Sequence, residues 1–511
     1  MRKDTVIFSL PTRRFASVLA VVLSLSLASP AAAADLFLND EPEVYAAIDK
    51  LNALGYLPGF LANKRPYSIR AVRAALQAPR AAAPKGFDGV LLRWLAGYVA
   101  PGQMGRITGA VAHSDSRFTP GNSQGIPVPK GWSGMVSIAA REETTPLVNG
   151  QVRFTSFYGE GGDDGNRLLD ASIEVGSPRF AIQAGKLSTW YGSGRHGALI
   201  FTNNAAPYVG VRAHNPEPIR APGLFSSFGP LQYDVFVARM EGKEQFSHSL
   251  LVGTRFAAKP RRFLEVGFSR ALHYGGEGRD DGVSEFFKGY FGNNESSGRS
   301  NPLSAFDITM TLPLAFQPVQ VYWERGVDDN SKLGRMFVPW SDVGANILGL
   351  YSPRALRFSR LDLRIEYADT FSGGAKDDNW YGHPAYPHQY RGQILGHPMG
   401  GSARDWFVES RYYLSPDSFA GVSYERVLHD GGDRKGERRS IISAGLTGWS
   451  SKYWRGEVRA SWDHVSDEGG IPGRDGSDVF VYVALSWQTD VLVPPDVVEK
   501  VPIREIQGVT R

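Results

Sequence analysis

Apolar and polar residues alternate with a period of two along most of the chain beyond residue 106. In Leu361 to Thr370, one face carries Leu361, Leu363, Ile365 and Tyr367, and the other carries Asp362, Arg364 and Glu366. Arg455 to His464 repeats the scheme, with Val458, Ala460 and Trp462 opposite Arg455, Glu457, Arg459, Ser461 and Asp463. From Asp478 to Trp487 the apolar set is Val479, Val481, Val483, Leu485 and Trp487. Similar alternation runs through 264–272, 306–312, 406–414 and 420–428, with separators rich in Gly, Asp, Asn and Pro at 161–165, 275–282 and 373–379. Successive side chains of a strand point to opposite faces, so these segments predict antiparallel β-structure.

A period of 3.6 governs the preceding stretch. Asn39 or Asp40 can cap a helix bearing Val44, Ile48, Leu51 and Leu54 on one face, with Gly55 as its stop. Ser68 can cap a second, with Ile69, Val72 and Leu76 aligned. Phe87 to Val99 predicts a third, with Val90, Leu91, Trp94, Leu95 and Tyr98 apolar. Three short amphipathic helices form a small bundle or pack onto something larger.

A soluble antiparallel sheet gives the same alternation, so a soluble β-propeller or sandwich remains an alternative. Three features favour a membrane barrel. The strands run about ten residues, the length of a tilted membrane strand. Their polar faces mix acid and base, as a wet interior requires, and aromatics such as Trp323, Trp406, Trp454 and Trp487 stand near strand ends, like interfacial girdles. Residues 101–490 then accommodate roughly 14 to 18 strands. An interior that wide needs filling, and the helical bundle at 35–100 is the expected plug. The predicted fold class is mainly β: a transmembrane antiparallel barrel with a helical bundle in its lumen. Gln488 to Arg511 follow the last alternating strand, and 491–511 read as a periplasmic tail.

The front end agrees with export. Arg2, Lys3, Arg13 and Arg14 precede an apolar run from Phe15 to Leu27, and small residues continue to Ala34. A basic start, a short apolar centre and an A-x-A end make a signal peptide, with cleavage expected after Ala34. Lys+Arg number 56 and Asp+Glu 52, and removal of residues 1–34 would leave 52 against 51. A nearly neutral chain lacks the basic excess of a nucleic-acid binder. The 511 residues include no cysteine, which excludes disulfides, thiolate metal sites and Cys nucleophiles. No later apolar stretch approaches the length of a spanning helix.

Two patches carry a resemblance. Gly185 to Ala205 reads GKLSTWYGSGRHGALIFTNNA, and Pro207, Leu224–Gly229 and Tyr233–Met240 continue it. The second patch is Tyr390 to His397, YRGQILGH, with Gly400. Together they resemble the Wzi-type capsule assembly proteins of Gram-negative outer membranes. The resemblance implies a barrel of about 18 strands, occluded by an amino-terminal helical bundle. It also implies that capsular or related exopolysaccharide is bound and anchored at the cell surface, with nothing catalysed. A porin-like or gated channel for sugars or oligosaccharides is the alternative.

Sugar recognition uses aromatic faces and fixed hydrogen-bonding groups, and Arg adds paired contacts to carboxylates. Trp190, Tyr191, Arg195, His196, Asn203 and Asn204 supply these types in one stretch, and Tyr390, Arg391 and His397 supply more. A structural reading stands beside this one: glycines making an inward bend, asparagines satisfying loop backbone, and Arg195 as an ion-pair partner that holds the plug. His383, His388 and His397 match no metal-ligand spacing, so no metal or cofactor is expected. His196 near Ser193, and the carboxylates of Asp463, Asp467 and Glu468 or of Glu324 and Asp328, are read as loop or lumen groups, so no enzyme is expected. The expected partners are an acidic polysaccharide, outer-membrane lipid and the barrel insertion machinery, and the protein is expected to be a monomer.

Overall fold

The computed structural model describes residues 41–490, apart from 81–82, 101–103, 144–147, 161–163, 242–244, 293–297, 315–317, 329–333, 335, 338–343 and 372–379. The expected export signal, the caps Asn39 and Asp40, the separator at 373–379 and the tail at 491–511 lie outside the described residues.

Among the described residues, eighteen antiparallel strands of 7 to 15 residues close into one barrel. The first, Met104–Ser114, pairs with the last, Gly476–Asp490, from Met104 opposite Asp490 to Ser114 opposite Phe480. Closure removes the exposed edges that an open sheet of this size would carry. Tight turns at 178–179, 262–263 and 416–417 lie at the end where Met104 and Asp490 meet, and long connections at 188–207, 275–299 and 370–402 lie at the other. Short turns face the periplasm in such barrels and long loops face the exterior.

The alternation sorts inside from outside as expected. Asp362, Arg364 and Glu366 are buried, whereas Val479, Val481, Val483, Leu485 and Trp487 keep 38–55% of their surface on the outer wall. A band of bare Val, Leu and Ile is costly in water at about 25 cal/mol per Å², and hydrocarbon removes that cost. The barrel is therefore a membrane barrel. Trp406, Trp454 and Trp487 stand near strand ends. Trp323 does not: it sits mid-strand in Pro318–Val327, with its indole N–H donated to Asn346 Oδ1 at 3.3 Å.

Three helices precede the barrel: α1 (Pro42–Ala53), α2 (Ile69–Gln77) and α3 (Gly86–Tyr98). Ser68 caps α2, its Oγ accepting from the Ala71 amide at 2.9 Å. Val44, Ile48, Leu51, Val72, Leu91 and Leu95 have no exposed surface and form the bundle core. Val90 faces out at 41% exposure, and Leu92 takes the buried place instead. The period did not reveal α4 (Val283–Phe291), which lies in the separator after residue 275. Its Phe286 and Tyr290 cover Val252, Leu272 and Tyr274 at the outer end of the wall.

The bundle is tied to strands around the lumen. Lys50 pairs with Asp362 at 2.5 Å, Glu43 with Arg455 at 3.0 Å, and Glu41 with Arg106 at 3.1 Å. Asn63 donates to Asp307 at 2.8 Å, and Lys64 pairs with Asp234. Asp49 is the hub: it meets Arg65 at 2.7 Å and Arg195 and Arg364 at 3.4 Å each, and accepts from the Tyr67 hydroxyl at 2.7 Å. Burial alone would raise the Asp49 carboxyl, but the three guanidinium groups outweigh it and hold it well below the usual carboxylate range. A depressed folded value stabilises above the unfolded value and is lost as acid protonates the group, so this anchor is intact at neutral pH.

Two predictions follow from this frame. Val483→Arg puts a charge mid-wall on the lipid side and should cost about 2–4 kcal/mol of insertion. Ser461→Arg, one strand away and facing the lumen, should insert normally; the heat-modifiable fraction in outer membranes compares the two, and equal losses would refute the inside–outside assignment. Asp49→Ala strands buried Arg364 and the largely covered Arg65 and Arg195, and should loosen the bundle by about 3–5 kcal/mol. Faster trypsin cleavage within residues 41–100 and current bursts across planar bilayers are expected, and behaviour matching the parent protein would show that Asp49 is not the hub.

Candidate functional site

The segment 188–207 folds inward from the strand Phe180–Leu187 and meets the bundle. Trp190 and Tyr191 pair with Arg65 and Lys64 in a two-stranded ladder, and the Gly192 amide donates to Asn63 O at 3.0 Å. Gly192 has φ +140°, and a Cβ there would lie 2.2 Å from Glu324 Oε2, so only glycine fits. Glu324 in turn accepts from the Leu199 amide at 2.8 Å.

The two sequence patches, about 200 residues apart, zip together here. Thr202 N–H donates to Leu395 O at 2.7 Å, Thr202 Oγ to Gly396 O at 2.6 Å, and Asn204 Nδ2 to Ile394 O at 2.9 Å. His388 Nε2 lies 2.6 Å from Ile200 O, and the Tyr381 hydroxyl donates to Leu199 O at 2.9 Å. The resulting core contains Tyr191, Leu199, Phe201, Phe236 and Tyr390.

Each expected contact residue has a definite place. Trp190 is buried and donates its indole N–H to Gly194 O at 3.1 Å. Tyr191 is buried and donates its hydroxyl to Asp234. Arg195 reaches Asp49 and donates to Ala62 O at 3.1 Å and to Ser193 O at 2.9 Å, so it links the loop to the bundle. Asn203 O accepts from the Gln124 amide at 2.7 Å, and Asn204 O from that of Gly125 at 3.0 Å. Tyr390 and His397 are buried. Trp190, Tyr191, Tyr390 and His397 thus offer no surface for a polymer to touch. Arg391 is exposed, at φ +50° in the turn joining Gln389–Tyr390 to Gln393–Ile394, and donates to Glu241 O at 3.2 Å.

His196 is held from several sides. Its amide and that of Arg195 donate to the two Glu366 oxygens at 3.1 and 2.8 Å, and its ring stacks on Phe407 at 3.9 Å. Its Nε2 lies 3.3 Å from Asp405 Oδ2 and 3.3 Å from Glu425 Oε1. Burial pushes this imidazole down, but the two carboxylates outweigh it and raise it well above the ordinary histidine value. Ser193 is 1% exposed and no hydrogen bond joins it to His196 among the described contacts, so the geometry does not assemble a nucleophile and base. His383, His388 and His397 do not converge. His383 Nδ1 accepts from the Tyr386 amide at 3.0 Å, burial lowers His388 to about 4, and His397 Nδ1 accepts from the Met399 amide at 3.3 Å.

Sequence reasoning did not single out Asp405 and Glu425, although the period of two places both on inward faces. It also passed over a luminal cleft lined by Arg106, Arg141, Arg153, Arg455, Glu457 and Tyr482. Arg459 stands beside it, paired with Glu457 and with its guanidinium 5.8 Å from the Tyr482 ring.

Comparison with known proteins agrees with this architecture. The outer-membrane protein Wzi of Escherichia coli, involved in group 1 capsule assembly and named as a carbohydrate-binding β-barrel, superposes with a TM-score of 0.72 at 18% identity. That match covers 89% of this chain and 99% of that one, and at this identity it speaks to the fold. Pseudomonas aeruginosa OprD gives a TM-score of 0.45 at 11% identity, over 76% of this chain and 95% of its own. An uncharacterized 55.8 kDa protein in the cps region of Klebsiella pneumoniae is 30% identical over 183 residues. The match spans 34% of this chain and 36% of that relative, about a third of its length. The family model for capsule assembly protein Wzi matches residues 102–464, most of the barrel. The chain belongs to the Wzi family of capsule assembly proteins.

Proposed function

We propose that this protein binds acidic capsular polysaccharide, or a related exopolysaccharide, at the outer face of the outer membrane and anchors it there during capsule assembly. The observation that carries the reading is a Wzi-family barrel whose lumen is crossed by a charge-locked bundle, with Arg391 exposed on the loops above it. A barrel so filled serves attachment better than passage. Arginine pairs with carboxylates through two parallel hydrogen bonds, which suits uronic acids or other acidic sugars. Arg391, exposed at the outer rim, is the proposed polymer contact. Trp190, Tyr191, Asn203, Asn204, Tyr390 and His397 support it by holding the inward loops. The protein works without turnover, as a monomer: residues 1–34 are removed on export, 35–100 bar the lumen, 101–490 span the membrane, and 491–511 extend into the periplasm.

A strain lacking the protein should shed polymer into the medium while making normal amounts, and the full chain should restore retention. The variant Arg391→Glu should insert normally yet retain less, by about fivefold or less, since an exposed charge contact is worth about 0.2–1 kcal/mol. The deficit should narrow at high salt. Full retention in the deletion strain would overturn the reading. Steady sugar-permeable conductance from the purified full chain would favour a channel instead.

A further inference from the structure

We infer that His196, Asp405 and Glu425 form a divalent transition-metal site that fastens the inward loop to the barrel wall. This site does not depend on polysaccharide binding. Asp405 and Glu425 stand on neighbouring strands, Ala403–Ser415 and Ser418–His429, where Asp405 is opposite Val427 and Phe407 opposite Glu425. The two carboxylates are therefore diagonal neighbours on the inward face, and His196 reaches them from the loop. Their ligand atoms all lie within 4.8 Å of one another.

Three observations point to a cation rather than a simple ion pair. First, a ring N–H points in one direction, yet Nε2 is 3.3 Å from both carboxylates and makes a well-directed hydrogen bond to neither. Second, the two separations from His196, 3.3 Å each, match the edge of a tetrahedron drawn about an ion roughly 2.0 Å from its donors, the usual Zn–N and Zn–O distance. The donor set as a whole spans up to 4.8 Å, so the carboxylates must draw together on the ion. Third, Asp405 is 2% exposed and its Oδ1 has no hydrogen-bond partner, a costly arrangement that a bound ion or its water relieves.

The supporting shell is built as well. Glu366 fixes the His196 backbone and Phe407 fixes its ring plane, and such outer contacts orient metal ligands. His397 belongs to that shell. Its Nδ1 accepts from the Met399 amide at 3.3 Å, and its Nε2 faces Asp405 Oδ2 from 3.9 Å, beyond hydrogen-bond reach. Gly197 makes room for it, since a Cβ there would lie 2.0 Å from His397 Cδ2. His196 and Glu425 keep 17% and 20% of their side chains open, which gives an ion access and leaves coordination positions for water. One imidazole with two carboxylates suits zinc or manganese, whereas calcium and magnesium take oxygen ligands.

The test uses the untagged full chain in detergent, stripped with chelator, re-equilibrated with zinc chloride and desalted. About one zinc per chain is expected by mass spectrometry, undiminished by millimolar calcium, with a cobalt-substituted sample absorbing in the visible. Glu425→Gln and His196→Gln should bind at least tenfold more weakly, while His464→Gln, remote from the site, should bind as the parent does. Heat-modifiability certifies that each variant is folded. No zinc on the folded parent, displacement by calcium, or unchanged binding in folded Glu425→Gln would each overturn the site, leaving His196 as a cation paired with two carboxylates.

Discussion

A charge buried on the inner face of a closed barrel needs a partner inside it, and most of this structure follows from that constraint. A strand with period two cannot bare its apolar face to lipid without turning its polar face into the lumen. There, Asp362, Arg364 and Glu366 on one strand, and Arg455 and Glu457 on another, are largely out of bulk water. Their partners come from the helices: Lys50 for Asp362, Asp49 for Arg364, Glu43 for Arg455. The bundle is thus chosen by the wall as much as by its own core. Exposed pairs of this kind are worth little. Breaking a buried one leaves an uncompensated charge, and the cost of that error, more than any net gain from the pair, makes one seating of the helices the right one.

The same logic explains the inward loops. A segment such as 188–207, placed beneath the mouth of a barrel, must satisfy its backbone without a sheet of its own. It does so against the bundle through Gly192 and Asn63, and against the second loop through Thr202 with Leu395 and Gly396 and through Asn204 with Ile394. Glycine is needed where Glu324 and His397 press against the backbone. The two ordered patches of sequence are therefore two halves of one packed unit.

The parts of this architecture that repeat were legible in the sequence. The inward and outward sets at 361–367 and 479–487 could be read off because a side-chain period of two leaves one lipid face per strand. Ser68 was readable as a cap because the motif is local. Features that depend on residues far apart were not. Tyr191 and Tyr390 have the chemistry of a sugar platform, and nothing in their spacing shows that both are buried in one core where the two loops meet. Asp405 and Glu425 resemble any other wetted carboxylates until the register places them beside His196. The helix Val283–Phe291 was hidden because its apolar face rests on the outside of a wall whose position the linear pattern does not supply.

The burial of so many aromatic and polar groups has a consequence for how a polysaccharide is held. A deep pocket would gain affinity from desolvated aromatic stacking, but here the aromatic rings of the inward loops are spent on packing. What remains for the polymer in the proposed reading is exposed charge, such as Arg391, and each such contact is weak and screened by salt. A capsular polymer offers the same repeat many times, however. Once one repeat is held, the next is at high effective concentration for a neighbouring barrel or a second site, so weak contacts multiply along the chain. Retention then depends on the density of barrels in the membrane as much as on any single site. A rigid, plugged barrel suits that task, because a fixed array of charges loses little freedom each time the polymer re-engages it.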